Sequence, residues 1–245
     1  MARWVCFDHN YEGKASSLWL SPEESHHLGK VLRARVGDSV KLLNGRGLIA
    51  DCRVKTLSRD TLELAVEGLV EKKPVSPRVD LVLGLAKPKA LESILRQATE
   101  MSVASIQVLE CDHAAYSLEA SAQKWERFQD IIIEACKQSL NPFPPILHAI
   151  MPFEAYLAKC PSDPRVLKLV ASLEPSARPL SQYILPKPER LLCFVGPEGD
   201  FSAREYAQLA ALGALGQSLG GSILRVETAV VAMLAQVELF KQQWV

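Results

Sequence analysis

The sequence contains no long apolar segment. Its longest apolar run near the end covers only residues 229–235, far short of the roughly 18 residues that a membrane-spanning helix needs. The N-terminus also lacks the basic-then-apolar pattern of a secretory signal peptide. We therefore expect a soluble, cytoplasmic protein that does not contact a membrane.

Closely spaced cysteines are missing as well. The six cysteines include no C-x-x-C pair, and this argues against the usual zinc-binding spacings. In a reducing compartment the same scatter argues against a disulfide framework. We expect reduced thiols and no bound metal.

The chain has no net charge, because 28 basic residues balance 28 acidic residues. No global excess of charge therefore points to a polyanionic partner. Residues 25–59 differ from the rest, with eight lysines and arginines against two aspartates. Such a local excess can attract phosphates, and a solvated basic surface explains it equally well.

A break in composition divides the chain. Residues 71–77 contain two lysines and two prolines, which is typical of a linker. Before the linker, residues 39–43, 48–54 and 61–66 alternate apolar and polar side chains between turn signals. This pattern predicts the short strands of a small β-barrel or sandwich.

One helix is predicted within this first part. Residues 21–24 read S-P-E-E, which provides an N-cap, a first-turn proline and a capping-box glutamate. The predicted inward stripe is Leu28, Val31 and Leu32, and the outward face carries His26, Lys30 and Arg33. This basic face permits RNA contact, and a simple exposed helix face explains it too.

After the linker, strand and helix patterns alternate. The predicted strands cover residues 79–85, 106–109, 165–172 and 191–195, and the predicted helices cover residues 88–101, 122–139, 202–212 and 225–241. Such alternation predicts an α/β domain with a mainly parallel sheet.

Two glycine-rich loops follow strands near the end of this domain. Residues 196–200 read G-P-E-G-D and follow a predicted strand directly, where ligands bind in open parallel sheets. Ser202 and Glu205 then predict a capping box at the next helix. Residues 219–222 read L-G-G-S before the last helix. Because no dinucleotide or P-loop pattern is present, we expect these loops to bind another type of ligand.

Arg225 is the least expected residue beside these loops. Glu227 and Thr228 suit the first turn of the last predicted helix, and helix stabilisation explains both. A cation at a helix N-terminus opposes the helix dipole. Arg225 is therefore better explained by an anion, such as a phosphate or a developing negative charge.

Together these motifs resemble the RsmE family of the SPOUT methyltransferase superfamily. Residues 196–205 match its pattern G-P-E-G-G-F-S-x-x-E except at Asp200, and residues 219–229 match L-G-x-R-I-L-R-x-E-T-A except at Ser222. Residues 27–38 are similar to H-x-x-x-V-L-R…G-D, and residues 134–139 resemble E-A-x-x-Q-S. The resemblance thus extends over most of the chain.

The resemblance implies a PUA-like RNA-binding β-barrel over residues 1–73 and a SPOUT domain with a C-terminal trefoil knot over residues 78–245. It also implies a homodimer that binds S-adenosyl-L-methionine (SAM) and methylates N3 of a uridine in small-subunit (16S) ribosomal RNA. The expected SAM-binding residues are Leu173, Val195, Gly196, Pro197, Glu198, Gly199, Leu219, Gly220, Ile223 and Leu224.

The expected chemistry follows from the state of the acceptor. Uridine N3 carries a proton at neutral pH, so this proton must be removed or the uridinate must be stabilised. We expect Arg225 to stabilise the uridinate or grip a flanking phosphate, and Glu198 to orient the substrate or accept a proton. The expected RNA-binding residues are Arg3, His27, Lys30 and Arg33.

Several positions depart from the family pattern. Asp200 and Leu140 replace glycines, Ser222 replaces an arginine, Val226 replaces a threonine, and Glu110-Cys111-Asp112 stands where Ser-Glu-Arg is expected. Two alternatives therefore stay open: a SPOUT methyltransferase with another RNA target, or an RNA-binding or ribosome assembly factor without catalysis. A nicotinamide-dependent Rossmann enzyme is disfavoured because its glycine fingerprint is absent.

Overall fold

The computed structural model describes residues 4–58, 61–114 and 124–242. The chain divides into two compact units, Met1–Pro74 with Ile133–Pro144, and Val75–Ile132 with Pro145–Val245. Each unit has its own sheet and its own apolar core.

The first unit contains one five-stranded sheet in the order β1-β3-β4-β5-β2. Its elements are β1 (Trp4–Phe7), β2 (Ser17–Trp19), α1 (Pro22–His26), β3 (Ser39–Leu43), β4 (Leu48–Leu57) and β5 (Leu62–Glu71). β1 runs parallel to β3, and the other neighbours pair antiparallel. The three strands predicted from alternation are confirmed, whereas β1 and β2 are too short for alternation to reveal them.

The predicted helix after Ser21 is only partly correct. Ser21 accepts a hydrogen bond from the Glu24 N–H at 3.2 Å, as an N-cap does. After α1, however, residues His27–Val31 form a π-helical turn, in which the Leu32 N–H donates to the His27 carbonyl. The wider turn breaks the predicted α-helical stripe, so Val31 is 58% exposed rather than inward.

The second unit contains a six-stranded sheet in the order β11-β9-β10-β6-β7-β8, with every neighbouring pair parallel. Its strands are β6 (Arg78–Gly84), β7 (Ser105–Glu110), β8 (Ile146–Pro152), β9 (Val166–Ala171), β10 (Arg190–Val195) and β11 (Leu215–Gln217). Its helices are α2 (Pro88–Glu100), α3 (Trp125–Ser139), α4 (Phe153–Leu157), α5 (Ala203–Ala211) and α6 (Val226–Lys241), of which α3 contributes residues from Ile133 onward to the first unit.

The predicted α/β domain with a parallel sheet is therefore confirmed. The central strands β6 and β10 are buried over nearly their whole length, as expected when both faces of a parallel sheet are covered. β8, β11 and α4 are absent from the predicted set. β8 and β11 lie at the two edges of the sheet. β11 has only three residues, and β8 is mostly accessible to solvent although most of its side chains are apolar.

The start of α5 agrees with its predicted capping box. The Ser202 hydroxyl accepts a hydrogen bond from the Glu205 N–H, and the Glu205 carboxylate accepts one from the Ser202 N–H at 2.8 Å. The rings of Phe201 and Tyr206 meet edge-on with centroids 5.7 Å apart, a contact of the hydrophobic-staple type across the helix start. The loop before α5 is therefore anchored at its C-terminal side.

α3 ends in a left-handed turn that accounts for one departure from the family pattern. The Asn141 N–H donates to the Cys136 carbonyl at 3.1 Å, and Leu140 between them has φ 56°. Helices commonly place glycine at this position, because a side chain there costs about 1 kcal/mol. The family's glycine at this position thus matches a backbone requirement, and Leu140 meets it at an energetic cost.

Candidate active site

A cavity of about 730 Å³ lies in the second unit at the carboxyl ends of β6, β9, β10 and β11. Each of these four neighbouring strands contributes the segment that follows it. The lining includes Lys87 and Lys89 after β6, Ser172 and Leu173 after β9, residues 196–198 and Asp200 after β10, and most of residues 219–229 after β11. The carboxyl edge of a parallel sheet is where α/β proteins bind their ligands.

The first glycine loop, residues 196–200, is packed directly onto β6. A Cβ atom at Gly84 would lie 2.4 Å from Pro197 Cδ and 2.5 Å from Pro197 N. A Cβ atom at Gly196 would lie 2.7 Å from Asp200 Oδ1. Both glycines are therefore required by close backbone approach, and together they fix the loop beside the cavity.

Asp200 has φ 61°, so the family's glycine again corresponds to a left-handed backbone position. Aspartate tolerates this region better than most residues. Its Oδ1 accepts hydrogen bonds from the Phe201 N–H at 2.8 Å and from the Tyr206 hydroxyl at 2.9 Å. Burial, and then the charge of Asp200, raise the pKa of Tyr206, so this hydroxyl stays protonated and keeps donating.

Two further groups hold the same loop. His113 Nδ1 lies 3.0 Å from the Gly199 carbonyl oxygen and 3.2 Å from that of Asp200, so the tautomer that donates from Nδ1 binds both. Glu198 Oε1 accepts a hydrogen bond from the Lys87 N–H at 2.9 Å. Because Lys87 caps α2, this carboxylate also satisfies an amide at that helix start.

Apolar side chains border the cavity from two sides. Leu173 is 61% exposed and Ile223 is 85% exposed, and both line it. Large aliphatic side chains with this much accessible surface, placed around a concave site, suit an organic ligand with an apolar part.

Arg225 occupies the N-cap of α6 and makes no side-chain capping bond. Its guanidinium has no hydrogen bond or ion pair with any residue in the described parts of the chain. Lys87 and Lys89 line the same cavity, and their ammonium groups are likewise unpaired among the described residues. Three acidic residues, Glu198, Asp200 and Glu227, line it too, so the cavity contains separated charges of both signs.

The structure brings most of the predicted site residues together. Nine of the ten expected SAM-binding residues line the cavity, and Gly199 does not. Arg225 and Glu198, the expected catalytic residues, also line it. These positions are consistent with the expected roles, which stay predictions.

The expected RNA-binding residues belong to the first unit. His27 is half-buried in the π-helical turn, Lys30 is exposed, and Arg33 is exposed with φ 56°. Arg3 lies outside the described residues.

Several lining residues were not predicted from the sequence, chiefly Lys87, Lys89 and Ser93 in and before the first half of α2 and Ser172 after β9. The sequence nevertheless contains a pattern that could have predicted the residues at α2. Pro88 marks the first turn of a helix directly after the predicted strand at residues 79–85. The rule that placed residues 196–200 at the carboxyl edge applies to this connection as well.

The chemistry of the remaining groups is simple. The six cysteines are free thiols, and burial raises the pKa of Cys193 to about 12, so this thiol is protonated and unreactive at neutral pH. Among residues 4–58, 61–114 and 124–242, no cluster of three or more potential metal ligands occurs. Nor does any described helix combine the length and apolar character needed to cross a membrane.

Two family models match the chain. Residues 71–238 match the RNA methyltransferase domain, and residues 20–67 match the RNA methyltransferase PUA domain. The first match alone covers more than half of the chain.

Individual proteins agree with these matches. The chain is 30% identical to ribosomal RNA small subunit methyltransferase E of Synechocystis sp. over 91% of its own length and 73% of that protein. It is 27% identical to the Bacillus subtilis protein of the same name, covering 91% and 90%. A solved structure of ribosomal RNA small subunit methyltransferase E from Neisseria gonorrhoeae, bound to SAM, superposes with TM-score 0.86 at 26% identity, covering 96% of this chain and 97% of that one.

Proposed function

The chain belongs to the RsmE family of RNA methyltransferases, and we propose that it transfers a methyl group from SAM to N3 of a uridine in small-subunit ribosomal RNA. The observation that carries this proposal is the cavity at the carboxyl edge of the sheet, where both family motifs meet. We place this activity in the cytoplasm, on the small ribosomal subunit or its RNA.

The cavity has suitable properties for SAM. Its volume of about 730 Å³ lies within the range of roughly 300–1,000 Å³ that is usual for small-molecule sites. Backbone from two glycine loops can reach a nucleoside closely, and Leu173 and Ile223 offer apolar surface to an adenine ring. Bound SAM would supply a methyl group that its sulfonium already activates. The protein's task is then to align the acceptor and exclude water.

Arg225 is the residue we assign to the acceptor. As N3 loses its proton, negative charge develops on the uridine ring, and a preorganised cation stabilises such charge. An unpaired guanidinium at the edge of the cavity is available for this task, or for a phosphate beside the uridine.

Glu198 receives a narrower role. One of its oxygens already accepts the Lys87 N–H, so we assign it the task of fixing the first glycine loop and orienting the substrate.

The first unit serves RNA binding in this proposal. The match to a PUA domain over residues 20–67 supports it, as do the exposed cations Lys30 and Arg33. Together with His27 and Arg3 they would contact the RNA backbone, where charge matters more than base identity.

We further propose that the protein is a homodimer with a trefoil knot in its second unit, as the family resemblance implies. α6 supports the dimer, since it buries one apolar face while Val231, Ala235 and the 66% exposed Leu239 form another. A second copy of α6 fits such a face. Equilibrium sedimentation should give twice the chain mass, and a monomer at micromolar concentration would contradict this part.

The activity itself is tested with small-subunit RNA from a strain that lacks this modification. Purified protein with SAM should produce one N3-methyluridine, detected by nucleoside mass spectrometry and located by reverse transcription, and calorimetry should show SAM binding. SAM binding with a methylated product at another base would favour the alternative RNA target. RNA binding without heat of SAM binding would favour the assembly factor.

Gly84→Ala tests the fit of the first glycine loop. The added Cβ would collide with Pro197 backbone, and overpacking of this kind costs about 1–3 kcal/mol. We expect the loop to shift and SAM affinity to fall about tenfold or more, as measured by calorimetry. Gly68→Ala in β5 is the control, because its Cβ would meet nothing closer than 4.0 Å. Equal SAM affinity in both variants would mean that the loop position is not needed for binding.

A further inference from the structure

The outward face of α2 carries a row of cations that begins at the cavity. α2 buries Leu91, Ile94, Leu95, Ala98 and Thr99. On the opposite side Lys89, Ser93 and Arg96 follow one another at spacings of four and three residues, so they share one face. Lys89 and Ser93 line the cavity, and Arg96 lies one turn further along the helix.

The two cations of this row have no close partner within the described structure. Lys89 and Arg96 are exposed, and neither forms a hydrogen bond or an ion pair with a described residue. The nearby carboxylate of Glu92 is bound by Arg127 through two hydrogen bonds of 2.8 Å. The Arg127 hydrogen bonds are the main cause that lowers the pKa of Glu92, and the charge of Arg96 contributes less.

The geometry points to a binding track for the RNA backbone along this row. This inference rests on the proposed function. A base that enters the cavity must be splayed from its strand, so the phosphates on one side of it pass the rim of the cavity. Lys89 and Arg96 lie roughly 10 Å apart along the helix axis, so each can contact a different phosphate of the same RNA strand.

Arg225 and the cations of the row would then contact different parts of the RNA. Arg225 acts at the base inside the cavity. Lys89 and Arg96 bind phosphates that flank the target uridine and so determine which nucleotide is positioned in the cavity. Ser93, between the two cations, offers a hydroxyl that can donate to a phosphate oxygen. Lys89 and Arg96 are thus positioning residues for the substrate, recognised by charge and not by base sequence.

The test compares a double variant, Lys89→Gln with Arg96→Gln, with a charge-matched control, Lys159→Gln with Lys187→Gln. The control lysines are exposed, lie outside the cavity and have no ion pair among the described residues. RNA affinity is measured against salt concentration, KM for RNA in steady state, and SAM affinity by calorimetry. We expect the α2 variant to raise KM for RNA about tenfold and to flatten the salt dependence by roughly 0.7 per lost phosphate contact. The control should leave both near wild type.

Three outcomes would overturn the inference. If the α2 variant has the same salt dependence of RNA affinity and the same KM for RNA as the control, the row does not contact RNA. A fall in SAM affinity instead would make Lys89 part of the cofactor site. Loss of the dimer in sedimentation would make the row a subunit contact. Failure of the proposed function itself looks different, because wild-type protein would then not methylate the RNA.

Discussion

Arg225→Ala is expected to slow methyl transfer by roughly 100-fold or more in a single turnover, with SAM affinity nearly unchanged. The guanidinium lines the cavity without a hydrogen-bond or ion-pair partner among the described residues, so its removal leaves no buried group unpaired and should not disturb the fold. Loss of one preorganised donor at a developing charge typically costs 10²–10³ in rate. The measurement is a rapid-quench single-turnover assay with saturating protein and SAM.

Two comparisons separate chemistry from binding in this experiment. Arg225→Lys retains the charge but not the planar fork, so it should recover part of the rate if charge is the main contribution. The pH profile of the alanine variant should shift to higher pH, because more of the uridine must ionise without help. A wild-type single-turnover rate in Arg225→Ala, with SAM bound, would refute the assigned role.

The site was largely predictable because its two loops are encoded by short-range signals. Residues 196–200 follow a continuous apolar strand and precede the capping box of Ser202 and Glu205, and these patterns depend only on neighbours in the chain. Arg225 was predicted as an electrostatic mismatch with a helix start, and it occupies the N-cap of α6.

What the sequence did not reveal depends on contacts between distant segments. His113 binds the first glycine loop from a turn 86 residues away, and nothing near His113 predicts this. Glu24 reads locally as a capping-box residue, yet its carboxylate binds the buried Lys137 at 2.7 Å. In both cases a tertiary partner decides the role, and local pattern cannot supply it.

The departures from the family pattern change their meaning in the structure. Asp200 and Leu140 replace glycines where the backbone is left-handed, with φ of 61° and 56°. The family's glycines at these positions are explained by this left-handed backbone conformation, and Asp200 and Leu140 adopt the same conformation. Neither replacement removes a ligand-binding group, so these two departures do not argue against catalysis.

Asp80→Asn is expected to destabilise the second unit by about 3 kcal/mol, the largest stability effect among the predictions. Asp80 is only 2% exposed on β6, accepts the Ser105 hydroxyl at 2.6 Å and the Arg78 Nε at 2.9 Å, and forms an ion pair with Arg190 on β10. Removing one partner of a buried ion pair costs about 3–5 kcal/mol. We expect the lower end of this range because the Arg78 and Arg190 side chains are partly exposed, with 45% and 37% of their surface accessible.

The matched control is Asp163→Asn, the same substitution in an exposed ion pair. Asp163 binds Arg165 at 2.7 Å, and the Arg165 side chain is 63% exposed, so the control should lose no more than about 1 kcal/mol. Urea unfolding followed by far-ultraviolet circular dichroism measures both. Asp80 lies in the first half of β6, outside the cavity, so the folded Asp80→Asn protein should bind SAM normally. Equal urea midpoints for the two variants would contradict this prediction. They would mean that water solvates Arg78 and Arg190 well enough without Asp80, so that the buried network stabilises the fold no more than a surface ion pair does.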